Sequence, residues 1–340
     1  MAGPNGGLDG LASAIPGTEA ARIATTKTTE KRDFSTLKSG TFREIGTGTL
    51  TIEAPSCLGR PRQPGLEAAL DVVDYGAFLP FDEKRTSVTV KLELAGPRAN
   101  VILNRPEVLN AMDWDTFGAL ATVCDEVAVD PDVRVVVVSG EGRSLSSGID
   151  TAALQSPRGS LEDMIAHAQA GFRKLAGLPI PTIAAVKGHA LGAGLQVALA
   201  CDIRVATTDA SMGLLEHRFG ILPDLGGTQQ LGRLVGPGTA KKMIWTQERV
   251  DGIEAHRRGL VELVVEPNEL AATVDELAAA IAEAPPTAAR EVKRLIDLSG
   301  RVSIDEGMDE EARGQLECFG SPDFAEAITA FVEKRTPDYG

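Results

Sequence analysis

The chain predicts an α/β fold: a largely parallel sheet wrapped by helices, followed by a helical region. Two observations carry this. Continuous β-branched runs such as "VRVVVVSG" and "PTIAAV" are stopped by glycine or a turn, as in strands buried on both faces. They alternate with segments of helical spacing, the order that builds βαβ units. A third observation adds the tail. From about Pro237 onward the pattern reads as almost entirely helical, cut by Gly, Pro or Ser.

In chain order, "SVTVKLEL" alternates and "ANVILNRP" is a second apolar run, which together predict a two-stranded hairpin. "WDTFGALATVCDEVAVD" places Phe117, Leu120, Val123, Cys124 and Val127 at helical spacing. A buried strand follows in "VRVVVVSG", then a helix in "LEDMIAHAQAGFRKLAGL", then a strand in "PTIAAVKGHA". "GAGLQVALACD" opens a helix with two glycines, and "DIRVATTDASMGL" gives a further strand and turn. Residues 1–85 differ. They are rich in Gly, Thr and Pro with weak apolar periodicity, and predict a partly disordered N-terminal extension. The expected division is therefore 1–85 extension, 86–270 α/β core and 271–340 helical region. No internal repeat is visible.

Composition narrows the partners. The 340 residues carry a formal charge of −14, which argues against nucleic acid or anionic membrane as the main partner. Basic patches such as Lys241–Lys242 are too small to change that. Apolar residues make up 43%, enough for a sizeable core. No apolar run reaches the roughly 18 residues of a membrane span, and the N-terminus lacks a secretory pattern. Four cysteines stand apart from one another and from histidines, so neither a metal site nor a disulfide framework is expected, and a reducing cytoplasm is. The four histidines read as structural or solvated.

Three stretches carry candidate chemistry. "SLSSGIDTAAL" and "KGHALGAGLQ" are Gly-rich turns after predicted strands, where parallel sheets place ligands. Glycine lets the backbone approach a ligand, and two converging N–H groups form an oxyanion hole. The alternative is a tight strand–helix turn with no ligand. The third stretch, "GLLEHRFGILPDLGGTQQL", sets Glu216 among Leu214, Leu215, Phe219, Ile221 and Leu222, with Asp224 eight residues later. An apolar setting raises a carboxyl pKa and suits proton transfer near neutral pH. The alternative is surface pairing of Glu216 with Arg218 or Arg233.

From about Ser87 onward, these residues resemble the crotonase superfamily, the enoyl-CoA hydratase/isomerase family. The matching blocks are "NRPEVLNAM", "GEGRSLSSGID", "AAVKGHALGAGLQVALACDIRVAT", "GLLEHRFGILPDLGGTQQLGRLVG" and "FAEAITAFVEKRTP". The resemblance implies a ClpP-like ββα spiral core, a helical C-terminal trimerisation region, and a homotrimer or hexamer. It implies an acyl-CoA substrate with no separate cofactor. Its thioester oxygen would be held by the N–H groups of Ile149 and Ala193. The CoA adenine would lie along Ser147, Asp150 and Thr151, with Phe331 and Lys334 closing the CoA site. Glu107 stands where the family often has a basic residue near the CoA phosphates, which would either weaken CoA binding or shift that role to Arg105 or Lys334.

The resemblance also assigns the acid–base positions. The family's hydratases use two glutamates, which fall here on Gln196 and Glu216. A glutamine cannot exchange a proton at neutral pH. Single-carboxylate double-bond isomerisation through Glu216 is therefore the first expectation. Hydration, with Gln196 orienting water and Asp224 or Glu216 supplying protons, is the second. Asp224 matches a second acid of the family's dienoyl-CoA isomerases, although the aspartate those enzymes carry at the Gln196 position is missing. A non-catalytic acyl-CoA binding protein is the third.

Overall fold

The computed structural model describes residues 89–156 and 158–340. The expected N-terminal extension lies outside the described residues. Strand β1 (Val90–Ala95) pairs antiparallel with β2 (Arg98–Leu103), closing the hairpin at Gly96. Helix α1 (Trp114–Val129) is started by Asp113, whose carboxylate accepts from Thr116 N–H. Strand β3 (Val135–Gly140) then pairs parallel with β2. Helices α2 (Thr151–Leu154) and α3 (Leu161–Ala176) follow, the latter capped by Ser160. Capping of this kind satisfies an orphan helix N–H and is worth ~1 kcal/mol.

The chain continues through β4 (Thr182–Val186), β5 (His189–Leu191), α4 (Ala193–Leu199), β6 (Ile203–Thr207) and β7 (Ser211–Gly213). Helices α5 (Gly227–Val235), α6 (Pro237–Thr246) and α7 (Gly252–Arg257) lead to β8 (Leu263–Val265). Four helices end the chain: α8 (Leu270–Ala282), α9 (Pro286–Leu298), α10 (Ile304–Gly320) and α11 (Pro322–Glu333). The main sheet has the order β1-β2-β3-β4-β6-β8, parallel from β2 onward, while β5 and β7 form a second, parallel pair. After β4 and again after β6 the chain therefore steps from the large sheet to the small one.

The continuous valine run of β3 is explained by burial on both faces. Val136 and Val138 enter the main core with Phe117, Leu120 and Phe172 of α1 and α3. Val135 and Val137 face the opposite side, against Leu270, Val274 and Ala278 of α8. Each such side chain contributes about 1.5–3 kcal/mol of transfer free energy. Packing of α8 on the sheet means that core contacts run past residue 270, where the sequence reading put the boundary.

The stretch after Pro237, expected to be almost entirely helical, also holds a strand that the sequence does not announce. Leu263–Val265 adds a parallel edge strand to β6. The strand is three residues long and only partly buried, so it has neither the length nor the alternation that betrays a strand in a sequence. Among the described residues, no helix is long and apolar enough to cross a membrane.

Candidate active site

Two loops that leave parallel strands meet at the cavity expected from sequence. The first, after β3, runs through Ser146 and Gly148 to Asp150. The second, after β5, runs through Gly192 into α4. They are locked together by backbone bonds: Leu145 N–H donates to Lys187 O (2.9 Å), Ser146 N–H to His189 O (2.8 Å) and Leu191 N–H to Ser146 O (3.1 Å). Two glycines allow the approach. Gly148 has φ 107°, and a Cβ there would sit 2.8 Å from Leu191 O and 3.7 Å from Ala193 N. Gly192 adopts φ 51°, ψ −121°, a backbone that side-chain-bearing residues avoid.

The geometry leaves two N–H groups free. Met112 N–H donates to Gly148 O and Asp150 N–H to Met112 O, both at 2.8 Å, so the bridge with Met112 uses the residues on either side of Ile149 and leaves Ile149 N–H aside. Ala193 N–H starts α4, where it has no earlier helical carbonyl to use. Neither N–H donates to a protein acceptor among the described residues. Both residues line a cavity of about 360 Å³, shared with Gln196, Glu216, Asp224 and Leu225. Orphan donors beside a cavity are the elements of an oxyanion hole.

Gln196 points inward and is 2% exposed. Its Oε1 accepts from the N–H groups of Leu225 (2.8 Å) and Gly227 (2.9 Å). Only oxygen can face two N–H donors, so Nε2 is turned to the other side, where it donates to Glu216 Oε1 at 2.7 Å. Gly227 is glycine because a Cβ would lie 2.8 Å from that same Oε1.

Glu216 begins a 3₁₀ turn (Glu216–Phe219) after β7. It does not pair with Arg218 or Arg233. One carboxyl oxygen is held by Gln196, and the other, Oε2, is buried with no protein partner. Burial raises the Glu216 pKa above the ordinary glutamate value. Hydrogen bonds from its own backbone and from Gln196 oppose that rise, and the nearby Asp224 charge adds to it. Asp224 lines the same cavity, and burial raises its pKa as well. Gln169 Nε2 fixes the Asp224 carbonyl at 2.8 Å. A neighbouring cavity of about 420 Å³ shares Gln196, Asp224 and Leu225 and is bounded by α3 and α5.

Of the remaining predicted residues, Ser147, Asp150 and Thr151 line the same cavity as Glu216. Phe331 and Lys334 do not: Phe331 is 82% exposed on α11, and Lys334 ends that helix in a left-handed conformation. Arg105, expected as a substitute ligand for phosphates, is otherwise engaged. Its guanidinium contacts Asp113 (3.2 Å) and Asp150 (3.0 Å) and donates to Ala111 O (2.7 Å). Glu107 sits exposed on the 3₁₀ turn Pro106–Val108.

Sequence reading missed Asn110. This residue is buried, has φ 55°, donates to Glu141 O and Ser144 O, and accepts from Arg105 N–H. It ties the loop after β2 to the loop after β3. The signal available was an Asn in "VLNAM", a residue type that tolerates left-handed backbone. Among the described residues, no cluster of His, Cys, Asp and Glu could hold a metal ion.

Comparison with known proteins places the chain in a family. Residues 98–340 match the Enoyl-CoA hydratase/isomerase family. A short-chain-enoyl-CoA hydratase of Clostridium acetobutylicum is 39% identical over 254 residues, covering 72% of this chain and 95% of that protein. An enoyl-CoA hydratase from Bacillus anthracis superposes with a TM-score of 0.71 at 32% identity, covering 74% of this chain and 98% of the other. A Thermobifida fusca YX protein solved in complex with acetoacetyl-CoA gives a TM-score of 0.65 at 36% identity, covering 68% and 95%. The fold is the crotonase fold, with its helical C-terminal region, and the chain is a member of the enoyl-CoA hydratase/isomerase family.

Proposed function

We propose that the chain hydrates 2-enoyl-CoA thioesters through an enolate held by Ile149 and Ala193 N–H. The observation that carries this reading is the buried, unpartnered Glu216 Oε2, in one cavity with a second carboxyl group, Asp224. In the proposed step, the oxygen of water bonds to C3 while Asp224 takes its proton. The C2=C3 electrons shift to the thioester oxygen, and the two N–H groups hold the negative charge. Protonated Glu216 then gives its proton to C2, re-forming the carbonyl. A carboxyl group with a raised pKa is suited to that donation near neutral pH. The names of the relatives support hydration over the isomerisation expected first from Gln196.

Isomerisation remains the second reading, favoured by a specific observation. Gln196 is oriented by Leu225 and Gly227 N–H, and as an amide it transfers no proton. Glu216 alone would then remove a C2 proton from a 3-enoyl thioester and return it at C4. Ser147, Asp150 and Thr151 would face the CoA adenine. Phe331 and Lys334, which do not line the cavity of their own chain, would reach the CoA of a neighbouring subunit in a homotrimer or hexamer. The exposed apolar residues Ile304, Leu316 and Phe331 of the C-terminal helices suit such an assembly.

Parallel assays of 2-enoyl-CoA hydration and 3-enoyl-CoA isomerisation test these readings, using wild type, Glu216→Gln and Asp224→Asn. Loss of hydration in both variants is expected. Loss in Glu216→Gln alone, with isomerisation as the main wild-type activity, would replace the first reading by the second. Stoichiometric binding of these thioesters without turnover of any would sink both.

A further inference from the structure

We infer that Arg105 is a positioning residue for the oxyanion hole, acting through Asp150 on the direction of Ile149 N–H. The inference rests on the assignment of Ile149 as an oxyanion donor. Arg105 grips both sides of the short bridge that frames that donor. On one side it donates to Ala111 O and pairs with Asp113, the residues flanking Met112. On the other it pairs with Asp150, the residue after Ile149. Met112 itself makes the two bonds, to Gly148 O and from Asp150 N–H, that leave Ile149 N–H unused.

The two carboxylates have second duties that stiffen the arrangement. Asp113 Oδ1 caps α1 through Thr116 N–H at 2.8 Å, and Asp150 Oδ1 caps α2 through Ala152 N–H at 3.0 Å. One guanidinium thus joins two helix starts and the backbone between them. The fork shape matters. Arg presents several N–H donors in a fixed plane, whereas Lys offers a single point charge. Without the cation, Asp113 and Asp150 would face each other as like charges across the bridge. A backbone donor displaced by about 1 Å can cost roughly a hundredfold in rate.

This role is distinct from holding CoA phosphates, and kinetics separate the two. For Arg105→Gln the expected result is a kcat about tenfold or more below wild type, with KM for enoyl-CoA within roughly threefold, since an interaction felt in the transition state is what changes. Arg105→Lys should recover part of the loss, and Asp150→Asn should lower kcat as Arg105→Gln does. The second readout is spectroscopic. An aminocinnamoyl-CoA thioester bound at the site should show a red-shifted absorbance from carbonyl polarisation, and the shift should shrink in Arg105→Gln.

If wild type binds the thioester without a red shift, the oxyanion assignment itself fails. A wild-type shift that persists undiminished in Arg105→Gln would overturn the role of Arg105 alone. So would a raised KM at unchanged kcat, which would make Arg105 a CoA ligand. Should Arg105→Gln fail to fold, Arg105→Lys and Asp150→Asn carry the same test: unchanged shift and kcat in both would overturn the proposal.

Discussion

The two glycine-rich loops at the site and the segment that carries Glu216 are neighbours built in opposite ways. The loops are half-buried to buried from Ser144 onward, cross-linked by backbone hydrogen bonds, and braced by Asn110 and Arg105. The 213–227 segment leaves Phe219, Ile221 and Leu222 exposed and turns through Gly220 and Gly226 in left-handed conformations. It is anchored to the rest of the site through Gln196 and Gln169. Charge that develops on an oxygen needs donors fixed in advance. A group that carries a proton needs a poised pKa instead, and at Glu216 burial raises the pKa while hydrogen bonds from the backbone and from Gln196 oppose that rise.

The contrast is broken most severely at Glu216. Glu216→Gln should keep the fold and lower kcat by about 10²–10⁴-fold, the usual weight of a general acid or base. Steady-state kinetics check this, and wild-type rates would remove Glu216 from the chemistry. Next is Gly148→Ala, which forces a Cβ to 2.8 Å from Leu191 O at a φ of 107°. Strain of this kind costs of order 1–3 kcal/mol. A chemical-denaturation midpoint should fall accordingly, and the polarisation of a bound thioester should weaken with it.

Gln196→Glu sharpens the difference between the readings. One new oxygen keeps the bonds from Leu225 and Gly227, and the other faces Glu216 Oε1 across the present 2.7 Å contact. Two carboxylates at that separation must share a proton, so the pair would titrate in two separated steps. The ratio of hydration to isomerisation should rise by about tenfold if a second acid–base group helps water attack. An unchanged ratio would exclude position 196 from proton transfer in either form.

The smallest effect expected is on stability against pH. The Glu216 pKa is raised in the folded state, so the native chain holds a proton that the unfolded chain releases once pH exceeds the ordinary glutamate value. Stability from this group therefore falls as pH rises from about 4.3 toward the raised folded value, then stays low. Glu216→Gln abolishes the penalty. Its melting temperature should exceed wild type near neutral pH by roughly 2–4 °C for each kcal/mol recovered, and the gap should close near pH ~4. A gap of constant size at all pH values would point to packing instead of ionisation. For activity, a protonated Glu216 acting as acid gives a loss on the alkaline side. An ionised Glu216 acting as base gives a loss on the acid side.

Much of this arrangement is legible in the sequence, and the exceptions are physical. Strand β3 declares itself because both faces are buried, which removes polar residues from the run. Strand β8 does not, because three half-covered residues carry no period. The oxyanion turns stand out by their glycines, whereas Arg105 looks like any surface arginine until the fold brings Asp113 and Asp150 to it from 8 and 45 positions further along the chain. Gln196 is conspicuous as a polar residue in an apolar helix, yet its orientation depends on two backbone N–H groups about thirty residues downstream, which no local pattern encodes.

The amide at position 196 has a genetic consequence. Every glutamine codon becomes a glutamate codon by one change at its first base. The backbone N–H groups that fix the Gln196 oxygen would donate to a carboxylate oxygen equally well. A single nucleotide therefore separates this site from one with an additional acidic group beside Glu216. Mutational drift at one base can carry the chain between two acid–base regimes without rebuilding the scaffold around them.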